Sequence, residues 1–314
     1  MCKKEENRAL VSRVLSGPYW TPEYADCFTG DFALELPYAP PGMPQNLCHG
    51  QTAAHFIWLS QSVKTWALEP DSLEVYGMKG NPELFWAVRT AGGGVHWGGR
   101  DGRFSSRFVT KVELRDGKIC RMKDFSDPLA YLRAAGREAP VFKVGLDHEE
   151  AARRQAAAKP APYIPDPHGD APEVIAQKVR DNIDSLVHGQ FQKRVNGPAV
   201  DHYCWFVPHE MKTHYTPEED PAMDVWMERS LLEWTTHCDP ICYETDDPEI
   251  WFFECGGYGY AEWQGNGSAG GYQNRYVKFL KMKQGECVRS DEYLNPINKL
   301  NAINAVIPSF PYFY

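Results

Sequence analysis

Positive charge is scarce in this 314-residue sequence: 33 Lys and Arg stand against 42 Asp and Glu, a formal net charge of −9, and no basic cluster offsets it. Such a surface repels nucleic acid and anionic membranes, so neither is expected as a partner. No apolar run approaches the length of a membrane span, and no signal peptide is read ahead of the cysteines. The nine cysteines are odd in number and scattered, which suits reduced thiols in a cytoplasmic protein better than a disulfide framework. No G-x-S-x-G, Walker loop or kinase signature appears. Gly265 to Gly270 fits G-x-G-x-x-G but runs into alternating strand residues, where a dinucleotide fingerprint needs a helix. His209 and His214 are five apart and would diverge on a helix, and Cys238 to Cys242 has no second pair at metal spacing. No metal or cofactor site is therefore read.

What the sequence does contain is a long-period duplication. The stretch Arg107 to Phe142 returns as Arg275 to Phe310, and Arg107/Arg275, Pro128/Pro296 and Phe142/Phe310 all differ by 168 positions. Solenoid repeats run to roughly 20 to 50 residues, so this period indicates a duplicated domain. A chain of this length divides into units of about 150 residues, each able to bury roughly two thirds of its unfolded surface. The expected division is a first unit at 1–145, a connector at 146–172 that is helical at its Ala-rich start, and a second unit at 173–314.

In the first unit the pattern predicts a helix over Glu5–Leu15 and a strand over Phe32–Leu36. A helix capped by Thr52 is expected over Ala53–Trp66, followed by strands at Leu73–Met78, Leu84–Thr90 and Val95–Gly98, with Gly92 to Gly94 as a bend. The second unit repeats the order, with helices at Val174–Val187 and Pro221–Trp234, a strand at Asp201–Pro208, and a hairpin loop at Gly265–Gly271. Helices first, then an antiparallel meander, read as α+β.

Strand parity singles out two carboxylates. Asp124 shares a face with Cys120 and Met122, and Glu292, 168 positions later, shares one with Val288 and Ser290. A carboxylate on an apolar face is desolvated and suited to acid/base work near neutrality; the alternative is a structural acid bonded to the following turn. His55 lies on the helix face of Leu59 and Trp66 and reads as a neutral base or as a core histidine. Its counterpart is Met223, so the two pockets are not chemically equivalent. His96 with Trp97, and Glu262 with Trp263, are expected to line the cavities, with Trp58 and Tyr38 as further substrate contacts.

The residues Asp116-Gly-Lys-Ile119, Asp124-Phe-Ser-Asp-Pro128, Ala139-Pro140, Glu292-Tyr-Leu-Asn-Pro296 and Ile307-Pro308, with His55-Phe-Ile-Trp58 on a helix, resemble the SnoaL-like proteins. The resemblance is to the phenazine-biosynthesis A/B family in particular, within the cone-shaped fold of nuclear transport factor 2 and ketosteroid isomerase. It implies two tandem cone-shaped units, each with N-terminal helices packed on a strongly curved, mostly antiparallel sheet. The family's acid/base glutamate falls on Asp124 and Glu292, and its histidine on His55. It further implies chemistry without a cofactor on a small, cyclic, carbonyl-bearing substrate: condensation, cyclisation, dehydration or isomerisation. Family members dimerise as single units, so an intrachain pseudo-dimer is expected here, with the tail from Ile307 packing across the other unit. Whether a further homodimer forms is left open. The rival reading is a non-catalytic small-molecule-binding or scaffold protein that kept the fold.

Overall fold

A computed structural model describes residues 2–140, 143–157, 171–187, 200–208, 211–237, 240–265, 267–283 and 286–312, with the backbone alone for 182–187. His209, Cys238, Asn266, Gly285 and the proline-rich part of the connector lie outside the described residues. The chain forms two units, Met1–Ala139 with Ile307–Tyr314, and Pro140–Val306.

The first unit opens with α1 (Lys3–Ser16), whose Val11, Val14 and Leu15 are fully buried. Strands β1 (Phe28–Glu35) and β2 (Asn46–Leu47) follow, then α2 (His49–Ser62), β3 (Ala67–Leu68), β4 (Glu74–Met78), β5 (Asn81–Trp97), β6 (Arg100–Arg115), β7 (Lys118–Ser126) and α3 (Pro128–Ala134). The sheet runs β2-β1-β7-β6-β5-β3, with β4 also on β5. Only β1 and β7 pair in parallel; the other pairs of this sheet are antiparallel.

The second unit holds α4 (His148–Ala157), α5 (Pro172–Val187), β8 (Asp201–Cys204), β9 (His214–Tyr215), α6 (Asp220–Ser230), β10 (Leu231–Thr236), β11 (Ile241–Glu244), β12 (Ile250–Ala261), β13 (Gly270–Lys283), β14 (Glu286–Leu294) and α7 (Pro296–Ala302). Its order, β9-β8-β14-β13-β12-β10 with β11 on β12, repeats the first strand for strand, including one parallel pair, β8 with β14. The α+β reading with tandem, mostly antiparallel units therefore holds. Inside the expected connector, α4 buries Ala151 against Ala222 and Val225 of α6.

The duplication extends to atomic detail. Asp127 and Asn295 each cap the helix after the last strand, accepting from Leu129 N at 2.9 Å and Ile297 N at 3.1 Å, with proline next in line. A Cβ on Gly102 would collide with the Ala134 carbonyl, and one on Gly270 with the Ala302 carbonyl, so the same helix end presses on the same strand in both units. Gly102→Val and Gly270→Val are each expected to destabilise by about 1–3 kcal/mol, since backbone cannot yield as a side chain does; urea unfolding of the full chain checks this.

Several boundaries differ from expectation. Helix α2 begins at His49, where the Cys48 N–H donates to Gln51 Oε1 at 3.1 Å, so Thr52 is not its cap. Its hydroxyl instead bonds the carbonyls of Leu47 and Cys48, each at 3.0 Å. The helix ends at Ser62 because Val63 bridges to Val95. The expected strands at Leu84–Thr90 and Val95–Gly98 are one strand, β5, continuous through its glycines. There the Lys64 N–H donates to Gly94 O at 2.8 Å, an approach that side chains would block. Helix α6 stops at Ser230, and the following strand β10, its Leu231–Trp234 part expected as helix, pairs with β12. Among the described residues no helix is long and apolar enough to cross a membrane.

Candidate active site

In the first unit, alternation along β7 delivers Asp124 to the interior, where it is 3% exposed. A bulge opposite Glu113 and Leu114 leaves Cys120 half-buried, so the inward series is Ile119, Met122 and Asp124. The carboxylate does not sit alone on an apolar face. Arg89 of β5, 1% exposed, donates from Nη2 to Asp124 Oδ2 at 3.2 Å and from Nη1 to Thr110 Oγ1 at 2.6 Å. The Thr110 hydroxyl donates in turn to Asp124 Oδ1 at 2.6 Å, and the Tyr19 hydroxyl reaches Oδ2 at 3.4 Å. Arg89 also lies over the Phe108 ring, 4.7 Å from its centroid. Burial, together with the Asp124 charge, pushes the Tyr19 phenol well above its usual range, so it stays protonated as a donor.

His55 is 4% exposed on the inner face of α2 with Thr52, Leu59 and Ser62. It lies in the second turn of α2, and burial is what pulls its imidazole down to about 4. Its Nδ1 is 2.9 Å from the hydroxyl of Tyr312, in the C-terminal segment that belongs to this unit. His55, Asp124, Arg89 and Tyr19 line one cavity, walled by Trp66, Trp97, Phe104, Phe108 and Tyr131. The aromatic lining suits a largely apolar ligand.

The histidine shift makes a pH prediction. The unfolded chain takes up a proton at this side chain near pH 6.5 and the folded chain near 4, so between those values the unfolded state holds more protons. Acidification through that window is expected to remove up to about 3 kcal/mol of stability. His55→Gln should flatten that part of the urea-midpoint profile.

The remaining expected contacts divide. Trp97 lines the cavity and donates from Nε1 to Ser62 Oγ at 3.1 Å. Trp58 stacks on Trp97 at 5.8 Å and packs on His55 at 5.5 Å, behind the lining rather than in it. Tyr38 is buried against Phe125 and does not line the cavity. His96, expected inside, is exposed and pairs with Asp101 at 2.7 Å, because the alternation turns Val95 and Trp97 inward. Glu262, expected to line the second cavity, instead accepts from the Gly267 N–H and closes its own hairpin loop.

In the second unit Glu292 occupies the place of Asp124 with different company. Lys278, in the strand position of Thr110, donates to Glu292 Oε2 at 2.6 Å. Burial opposes ionisation of Glu292, but Lys278, His202 and Lys299 outweigh it and hold the carboxyl at about 2. The counterpart of His55 is the buried Met223, and Trp263 is buried beside Trp226 at 5.4 Å. His202 and Cys204 of β8 enter from the other side. His202 Nδ1 is 3.0 Å from Asp220 Oδ1, and Cys204 Sγ is 3.6 Å from His202 Nε2. Burial alone would pull the His202 imidazole down, whereas Cys204 and Asp220 push it up to about 10. One ligand atom each from His202, Cys204 and Glu292 lie within 4.8 Å of one another, close enough to hold a cation, though Lys278 already occupies the carboxylate.

Sequence reasoning thus missed Arg89, Thr110, Tyr19 and Tyr131 in one unit and Lys278, Lys299, His202 and Cys204 in the other. The available signal was charge on inward positions of apolar runs, as in Phe85-Trp-Ala-Val-Arg89.

Comparison with known proteins finds that residues 215–311 match the model of the family described as phenazine biosynthesis protein A/B. The phenazine biosynthesis protein PhzA1 of Pseudomonas aeruginosa is 35% identical over 83 residues, 26% of this chain and 50% of that protein. The chain spans about half the length of the curated relatives it matches. Among solved structures, a phenazine biosynthesis-related protein of P. aeruginosa aligns at 23% identity, covering 45% of this chain and 92% of that one, with a TM-score of 0.40. An NTF2-like protein of Burkholderia xenovorans aligns at 19% identity, covering 42% and 96%, with a TM-score of 0.34.

Proposed function

We propose that this chain, similar to the phenazine biosynthesis A/B proteins, is a cofactor-independent acid/base enzyme of small-molecule biosynthesis. Its chemistry is condensation, cyclisation, dehydration or isomerisation at a carbonyl, and its working site is the first cavity. The observation that carries this reading is the placement of Asp124 and His55 on one aromatic cavity.

Those reaction classes share one step, movement of a proton on the carbon beside the carbonyl. With Nδ1 accepting from the Tyr312 hydroxyl, His55 keeps its proton on Nε2 and donates to the substrate oxygen as a neutral imidazole. Asp124 takes the α-proton and returns it at the neighbouring position. Arg89 and Thr110 fix the carboxylate, and the longer Tyr19 contact is the one a substrate displaces most easily.

The Arg89 pair also favours a second reading, since a buried carboxylate that is fully paired serves structure alone in a binding protein. Exchange of α-hydrogen of 2-aminocyclohexanone with deuterated water, followed by NMR, separates the two. The enzyme accelerates the exchange; a binding protein perturbs the ligand signals and leaves the exchange rate at that of buffer.

A further inference from the structure

The second unit carries a buried amine that the acid/base scheme does not use. Lys299 of α7 is 2% exposed, yet it has no hydrogen bond or ion pair among the described residues. Its Nζ lies against two indole faces instead, 5.0 Å from the Trp263 ring and 5.6 Å from that of Trp226.

Its place in the fold is informative. Lys299 stands 168 positions after Tyr131, and Trp263 and Trp226 are the counterparts of Trp97 and Trp58. In the first unit Tyr131 stacks on Trp97 at 5.5 Å and lines the cavity. Replacing that phenol by an amine puts a nucleophilic nitrogen where the first unit presents a wall. Around it are the Glu292 carboxylate, the Lys278 ammonium, and Cys204 with His202.

We infer that Lys299 is a Schiff-base nucleophile, which captures a ketone or aldehyde as an imine beside the Glu292 carboxylate. The inference rests on the reading of the chain as a carbonyl-processing enzyme. The amine nitrogen bonds to the carbonyl carbon while the C–O π bond opens, and a proton passes from nitrogen to oxygen to give a carbinolamine. Loss of that hydroxyl with the second amine proton, as water, leaves the C=N bond, so amine plus ketone gives imine plus water. Glu292, held ionised by Lys278, then faces the imine nitrogen and balances its positive charge once that nitrogen takes up a proton from water. Burial, reinforced by the Lys278 charge, lowers the Lys299 ammonium against the opposing pull of Glu292 and Cys204, which increases the free amine needed for attack. Each tenfold fall in proton affinity raises the free-amine fraction about tenfold near neutral pH.

The test is reductive trapping of the full chain with cyclohexanone and sodium cyanoborohydride at pH 7, with peptide mass spectrometry to locate the adduct. Lys299 is expected to be modified faster than exposed lysines such as Lys212, whose side chain is 58% exposed. Lys299→Arg, which keeps the charge over the indoles, should lose that adduct and retain the far-ultraviolet circular dichroism of the parent. Modification of surface lysines with Lys299 untouched overturns the inference, and this result needs no variant. Trapping and the α-exchange assay fail separately. No adduct, with exchange still lost on Asp124→Asn, removes only the imine, whereas an adduct with exchange indifferent to Asp124 and His55 removes only the acid/base reading.

Discussion

Arg89→Met is expected to destabilise the first unit by about 3–5 kcal/mol, the largest stability effect in the chain. The guanidinium is almost completely enclosed, and its loss leaves the Asp124 carboxylate buried with only Thr110 and Tyr19 as donors among the described residues. Thr110 would lose a donor at the same time. The cost is the desolvation of an orphaned charge, so removing the charge should restore most of it. Arg89→Met with Asp124→Asn is therefore expected to lie much closer to the parent than Arg89→Met alone, a coupling that urea midpoints of the four chains would measure. Strict additivity would mean that the pair does not interact as the structure places it.

Asp124→Asn is expected to lower carbonyl turnover by about 10²- to 10⁴-fold, the range that a positioned proton-transfer group contributes. The amide keeps the shape of the carboxylate and can still accept from Thr110, Arg89 or Tyr19, so packing changes little while the basic oxygen is lost. The α-exchange rate of 2-aminocyclohexanone in the full chain is the measurement. His55→Gln should lower the same rate less, because it removes a hydrogen-bond donor to the substrate rather than the proton acceptor. Loss of exchange with the ligand still bound, seen by NMR titration, would separate chemistry from binding.

Much of the fold was legible because duplication repeats constraints that alternation alone leaves loose. The offset of 168 places β7 on β14 and α3 on α7 residue for residue, as the register and the two capping residues show. Parity also brought Asp124 inside. It failed for His96, where the strand runs into a hairpin and only Val95 and Trp97 turn inward. It could not end α6 at Ser230, because the helical period of the apolar residues continues to Trp234 while the edge of β12 needs a partner.

The partners of the carboxylates were harder to read for a physical reason. Lys and Arg are usually solvated, and strand parity does not say that both faces of a strand are covered. From Phe85 to Arg89 every residue is buried, so Arg89 has no outward face on which to escape. Lys278 and Lys299 become informative only beside Thr110 and Tyr131, when the two halves are compared position by position. That comparison shows the charge balance around the carboxylate redistributed, with the cation on β5 in one unit and on β13 and α7 in the other.

The central claim is that acid/base chemistry resides in the cavity of the first unit, whereas Glu292 in the second unit is tied to Lys278. The most direct measurement compares α-exchange in chains that carry Lys299→Arg throughout, so that an imine cannot contribute, with either Asp124→Asn or Glu292→Gln added. Asp124→Asn should abolish at least about 10²-fold of the rate, and Glu292→Gln should leave it near the parent value. Equal sensitivity of the two positions, or indifference to Asp124→Asn in a folded chain, would contradict the account.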